Sequence, residues 1–313
     1  SSQFHFQEAA VAALCEVEAR RYRQPDPALA GAFKRQARQS AASMARWVEG
    51  MPPPRHLKNG FDLQARFGQE AYARYSVYSL YAASCLGLAA VFADDSIDEA
   101  PCPSEVGGYV VLLDDAFHKV FASTSAAQIE IDTAADSHYD ATGLGRFQVR
   151  GVPGELALAL PFASEPRYQL PEDLIPDRAT AIGPEWLDGE AWRPLAACDD
   201  ETTFQHETRA TEAERVALRS AWGDRTSAVR VEQTLELTDD TLEIDTRVVG
   251  ADGGERPPWR FVVPLLATDG DVESRVESMP GQVAVQYRGS RYTVNFDASL
   301  GFVGEPVEVT RDV

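Results

Sequence analysis

The chain has 313 residues, 44% of them hydrophobic, with 29 Lys and Arg against 49 Asp and Glu, a formal charge of -20 and a pI near 4.6. That length suits one large domain or two ordinary ones, and the apolar content excludes disorder as the default. The acidic balance excludes a general nucleic-acid or membrane-surface binder, so a polyanionic partner requires a local positive patch set against the overall field.

In chain order, residues 7–22 carry Val11, Leu14, Cys15 and Val17 among alanines and glutamates, a helical pattern that ends near Pro25. Asp26 or Pro27 opens a second helix with Leu29, Phe33, Met44, Trp47 and Val48 as its apolar positions, and Gly50 with Pro52 to Pro54 stops it. After a loop over 55–68, residues 69–93 predict a third helix. Tyr72, Tyr75, Val77, Tyr78, Leu80, Tyr81, Leu86, Leu88, Val91 and Phe92 fall on every side of its wheel, the pattern of a helix buried all round. So few helices cannot enclose such a segment, and a second chain or an upstream segment is expected to complete the helical part.

After Asp94-Asp95 the pattern changes. From Gly107 onward, short strand-like runs alternate with turns: 109–113, 127–132, 146–150, 156–160, 228–237, 241–249, 260–266, 282–287 and 291–296. Strict alternation over 230–237 and 242–248, with Asp239-Asp240 between them, predicts a hairpin with one face in the core. Many short strands without intervening helices point to an antiparallel β-sandwich. The expected architecture is α+β and multidomain: helices over 1–100, then a sandwich over 101–313.

No apolar run is long enough to span a bilayer, and Ser1 to Phe6 lack the regions of a signal peptide, which a mature chain can have lost. Only Lys34, Lys58 and Lys119 are lysines; the arginine excess suits bidentate carboxylate recognition, although genome base composition produces the same bias. Cys15, Cys85, Cys102 and Cys198 have no metal-ligand spacing. With no phosphate loop, nucleophile elbow or zinc signature either, no cofactor and no metal are expected.

Two stretches concentrate chemistry. Arg55, His56, Lys58 and Asn59, followed by Arg66, Arg74, Tyr75 and Tyr78, form a basic and tyrosine-rich segment in an acidic chain. Arg74, Tyr78 and Tyr81 share a helical face, though single tyrosines at such positions are more often core residues with satisfied hydroxyls. The second is the polar, glycine-bearing loop Ser137 to Arg146, containing His138, Tyr139 and Asp140; its bland reading is a surface turn. His118, in a β-like run, reads as a structural or exposed group, His206 as a surface group and His5 as a terminal one. The acidic run 94–99 reads as a solvated connection, with a cation site or glycosidase carboxylates (Asp94, Asp95, Asp98, with Glu70) as the alternative. Trp186, Trp192 and Trp222 are candidates for an exposed sugar-binding platform in a non-catalytic sandwich.

The stretches HLKNGFDLQARFGQEAYARYSVYSLYAASCLGLAAVFADDSI and IEIDTAADSHYDATGLGRFQVRGVPGELALALP resemble matching segments of heparinase II/III-like proteins and related polysaccharide lyases, over roughly residues 50–165. That resemblance implies part of an (α/α) toroid followed by an antiparallel β-sandwich, and a secreted or periplasmic location. It further implies β-elimination on an acidic poly- or oligosaccharide, with a His or Asn neutralising the uronate carboxylate and a Tyr or His moving protons. Carried onto this chain, the candidates are His56 and Asn59 for the carboxylate, and Tyr75, Tyr78, His138 and Tyr139 for proton transfer. Arg55, Lys58, Arg66, Arg74 and Arg146 would hold substrate.

Overall fold

A computed structural model describes residues 5–49, 77–113, 117–136, 138, 140–153, 156, 181–198, 202–224, 228–250, 257–266 and 273–297. The chain divides into two compact units, Ser1–Val106 and Gly107–Val313.

The first unit contains α1 (His5–Tyr22), α2 (Pro27–Glu49), α3 (Val77–Phe92) and the short α4 (Pro103–Val106). Asp26 caps α2 by accepting the Leu29 N–H at 3.0 Å, with Pro27 at the first helical position, where its missing N–H costs nothing. Small side chains let the helices approach closely: Ala9, Ala13, Met44, Ala82 and Cys85 form one buried cluster, and Ala19, Ala30 and Ile97 another. Between α1 and α2 lies a buried ion pair, with Lys34 Nζ 2.9 Å from both carboxylate oxygens of Glu16.

The expectation that the third helix is buried all round is not met. Ala82 and Cys85 are buried and Ala89 partly so, facing α1, whereas Leu80, Leu88 and Val91 are 64%, 52% and 71% exposed. Among the described elements, α1 is the main neighbour of α3, so one stripe is covered and the rest is not.

Beyond α3 the chain returns across α2. Here Arg35 pairs with Glu99 and Glu105, Arg38 with Glu99, and Gln39 with Glu105. Gly31 permits the crossing: a Cβ there would lie 2.7 Å from the Asp98 carbonyl oxygen. The acidic run is thus largely a strap on the basic face of α2.

The second unit is antiparallel throughout its described strands. One four-stranded sheet has the order β1 (Tyr109–Leu113), β2 (Lys119–Ser123), β3 (Ala127–Asp132), β4 (Gly143–Val149). The strands β5 (Gly183–Asp188) and β6 (Ala191–Pro194) follow. Then come β7 (Thr203–Glu212), β8 (Arg215–Asp224), β9 (Val229–Thr238) and β10 (Leu242–Gly250), paired in the order β10-β9-β8-β7. The strand β11 (Trp259–Val262) adds to β5 and β6 in the order β11-β5-β6, and β12 (Arg275–Met279), β13 (Gln282–Tyr287) and β14 (Ser290–Asn295) form a last meander. Val120, Ile129, Ile131 and Leu144 of the first sheet share one core with Leu218, Trp222, Val231 and Leu235 of the second and with Trp186 of β5. The structure therefore gives a β-rich α+β chain.

The hairpin expected around Asp239-Asp240 is present, with Leu242 opposite Leu237 and Val248 opposite Val231. The strands over 119–123, 183–194 and 203–224 lay outside the runs read from sequence. Across the second sheet, Thr246, Gln233, Ser220 and His206 stand directly opposite one another in adjacent strands. They form a polar row on the inward face, where Gln233 and Ser220 are fully buried. Gln233 Nε2 donates to Thr246 Oγ1 at 3.1 Å.

Candidate functional site

The most elaborately held polar group of the described residues lies where β2, β3 and β4 meet. Lys119, first in β2, stands opposite Asp132, last in β3. Its ammonium bonds Asp132 and also reaches Asp140 at 3.3 Å and Glu130 at 3.6 Å. The described residues between Thr133 and Thr142 are tied down from several sides. Thr133 N donates to the His118 carbonyl at 2.7 Å, Ala134 N to Asp132 Oδ1 at 3.0 Å, and Ala135 N to Thr142 Oγ1 at 2.8 Å. Asp136 N donates to Asp140 Oδ1 at 2.6 Å, and Asp136 Oδ1 in turn accepts the His138 N–H at 2.8 Å. The Thr142 hydroxyl donates to the Cys198 carbonyl, and Thr142 N to that of Ala196 at 3.2 Å. A bulge between Glu130 and Ile131 leaves Gly145 without a partner across β3, the kind of irregularity that re-aims neighbouring side chains.

The electrostatics of the cluster are uneven. Burial pushes the Asp132 carboxyl up to about 6; the Asp140 charge adds to that, and Lys119 opposes it. Burial works against the Lys119 charge, but the three surrounding carboxylates outweigh it and hold the ammonium above its ordinary value. The Asp132 side chain is only 2% exposed and that of Asp140 30%. Asp140 and His138 are thus the half-buried members of the loop, with Lys119 bonded to Asp140 and Asp136 to the His138 backbone. No family model, curated protein or solved structure matches this chain.

Of the residues singled out from sequence, Arg55, His56, Lys58, Asn59, Arg66, Arg74, Tyr75 and Tyr139 lie outside the described residues, as does Glu70. Tyr78 has its backbone in the first turn of α3. His138 sits in the loop just described. Arg146 is exposed on β4, opposite Glu130, and makes no ion pair among the described residues.

The alternative sites fare differently. Asp94 accepts from the Ser96 hydroxyl and N–H, which lower its pKa with help from the Arg23 charge beside it, and Glu99 is held by Arg35 and Arg38. Trp186 and Trp222 are each 1% exposed, so they are core residues rather than a platform; Trp192 is 37% exposed. His206 is no simple surface group: it stacks on Phe204 at 6.4 Å, and burial lowers its pKa. All four cysteines are buried and free. Among the described residues no His, Cys, Asp or Glu group is arranged to hold a metal ion, and no helix is long and apolar enough to cross a membrane.

Sequence reasoning missed Lys119 and Asp132. Their one signal was that Lys119 is among only three lysines of the chain. Their meeting depends on the β2–β3 register, which residue spacing alone does not supply.

Proposed function

We propose that this chain belongs to a polysaccharide lyase that splits a uronate-bearing glycan by β-elimination, with its helices part of an (α/α) toroid and its sheets a β-sandwich. The observation that carries the reading is the His138 loop, braced by backbone bonds and by the Lys119–Asp132–Asp140 cluster. Elimination needs a base within hydrogen-bond reach of a weakly acidic proton, and donors placed where negative charge grows on the carboxylate. A histidine on a loop this firmly seated meets the positional demand on the base, and the same group can return the proton to the leaving oxygen. The basic segment from Arg55 to Arg74 supplies the local positive charge that a polyanion requires in a chain of net charge -20. The apolar face of α3 that no described element covers fits a toroid completed by further helices, from upstream sequence or a second chain.

The test is ultraviolet absorbance during incubation with a panel of uronate polysaccharides, including rhamnose-capped glucuronate glycans. Elimination creates a conjugated unsaturated uronate, which hydrolysis and simple binding do not. The expected result is a rise with the native chain and a loss of about 100-fold or more in rate for His138→Ala, the scale of removing an acid–base group. Absence of a rise across the panel, or a rise that His138→Ala leaves intact, rejects the assignment.

A further inference from the structure

A second group of side chains stands on the outward face of the sheet β11-β5-β6. Register fixes which residues share that face. Arg260, Glu185 and Pro194 are directly opposite one another, as are Leu187 and Trp192 two residues along. The other face carries Trp186 into the core.

From β11, the Arg260 side chain reaches across β5. Its Nε and Nη2 both bond Glu185 Oε2, at 2.8 and 2.7 Å, and its Cζ lies 4.3 Å from the centre of the Trp192 ring on β6. Glu185 is only 3% exposed, whereas the arginine side chain is 42% and Trp192 37% exposed. A buried carboxylate thus holds an accessible guanidinium over an accessible indole, and its Nη1 has no partner among the described residues. Behind it lies a cavity of about 10 Å³, room for one water, lined by Ile182, Gly183, Glu185, Pro194, Ala196 and Val262. Ala196 is also the residue whose carbonyl accepts Thr142 N, so this cavity lies beside the strand end that closes the His138 loop.

We propose that Trp192, Arg260 and Glu185 form a sugar-binding subsite that takes a neutral pyranose. An indole face matches the C–H surface of a pyranose ring, and a fixed guanidinium presents donors in one plane, suited to neighbouring hydroxyls. Charge decides between neutral and acidic sugars. Glu185 already neutralises Arg260, and a uronate carboxylate laid on the same guanidinium would crowd a second negative charge against the first. As a substrate contact the subsite rests on the lyase reading and implies a mixed glycan, with a neutral residue next to the uronate. Sugar binding itself is independent of elimination.

The experiment titrates the whole chain with methyl glycosides of rhamnose, galactose, glucose and xylose, and with methyl glucuronide, following ligand resonances by saturation transfer and affinity by calorimetry. At least one neutral glycoside is expected to bind, Trp192→Ala to weaken it by about tenfold or more, and the glucuronide to bind more weakly than the glucoside. Arg260→Lys, which keeps a cation beside the buried Glu185 but loses the planar group over Trp192, carries the same expectation should Trp192→Ala fail to fold. No binding of any neutral glycoside, affinity unchanged in both variants, or a glucuronide that binds as tightly as the glucoside overturns the proposal. Because His138→Ala should leave this binding intact, loss of the absorbance signal and loss of sugar binding report separately on the two readings.

Discussion

The two units each surround a lysine with carboxylates, fully buried in one and partly in the other, and they treat it differently. In the helical unit, Lys34 meets one buried carboxylate, Glu16, with both oxygens at 2.9 Å; the next acid, Asp95, is 3.8 Å away and 90% exposed. In the β unit, Lys119 is surrounded by Asp132, Asp140 and Glu130. One cation cannot neutralise three carboxylates, and the excess together with burial drives Asp132 toward neutrality. A balanced pair holds two helices together. An unbalanced cluster stores a proton that leaves near the middle of the pH scale.

Breaking the balanced pair should have the largest effect. Glu16→Gln strands a buried ammonium, and a loss of about 3–5 kcal/mol is expected in chemical denaturation. Replacing both partners, as Glu16→Leu with Lys34→Met, should restore most of that loss, since two apolar side chains need no partner. A double variant as unstable as the single one would show that the pair does more than cancel its own burial.

The cluster should respond to pH instead. The folded pKa of Asp132, about 6, lies above its ordinary 3.8, so the folded state holds a proton that the unfolded chain has released. Its contribution to stability is complete below about pH 4 and is lost as pH rises through 6, a change of about 3 kcal/mol. Asp132→Asn should flatten that part of the stability–pH profile, read from melting curves taken at intervals from pH 4 to 7. A profile identical to that of the native chain would mean that Asp132 is ionised throughout. Smallest of all should be Arg23→Ala. Its bond to Asp94 at 2.7 Å joins two partly exposed groups, and a melting midpoint within experimental error of the native one is expected.

The same contrast explains what could be read in advance. The β9–β10 hairpin was legible because Val231, Leu235, Leu237, Ile244 and Val248 alternate with charged residues, so period and burial agree. The start of α2 was legible from Asp26 and Pro27, whose roles are local. The strands around Trp186 and Trp192 were not, because Pro184, Gly189 and Pro194 interrupt any alternation and the burial comes from other sheets. The exposure of α3 contradicted its composition, since an apolar pattern specifies a wish for neighbours without supplying them. The loop of His138 stood out by its residue types. Its supports, Lys119 and Asp132, lie 19 and 6 residues upstream and are brought there by strand pairing.

The polar row across the second sheet acts on alignment. Sliding β9 by two residues against its neighbours would keep every inward side chain inward, so hydrophobicity hardly distinguishes the native ladder from its slipped copies. With the row in place, a slip sets the Gln233 amide against Leu218 or Trp222 in β8 and takes it from the Thr246 hydroxyl. Four ordinary residues thus act as an index mark. They allow a sheet of long, repetitive strands to be assembled in one alignment, and the cost is polar atoms left inside the core.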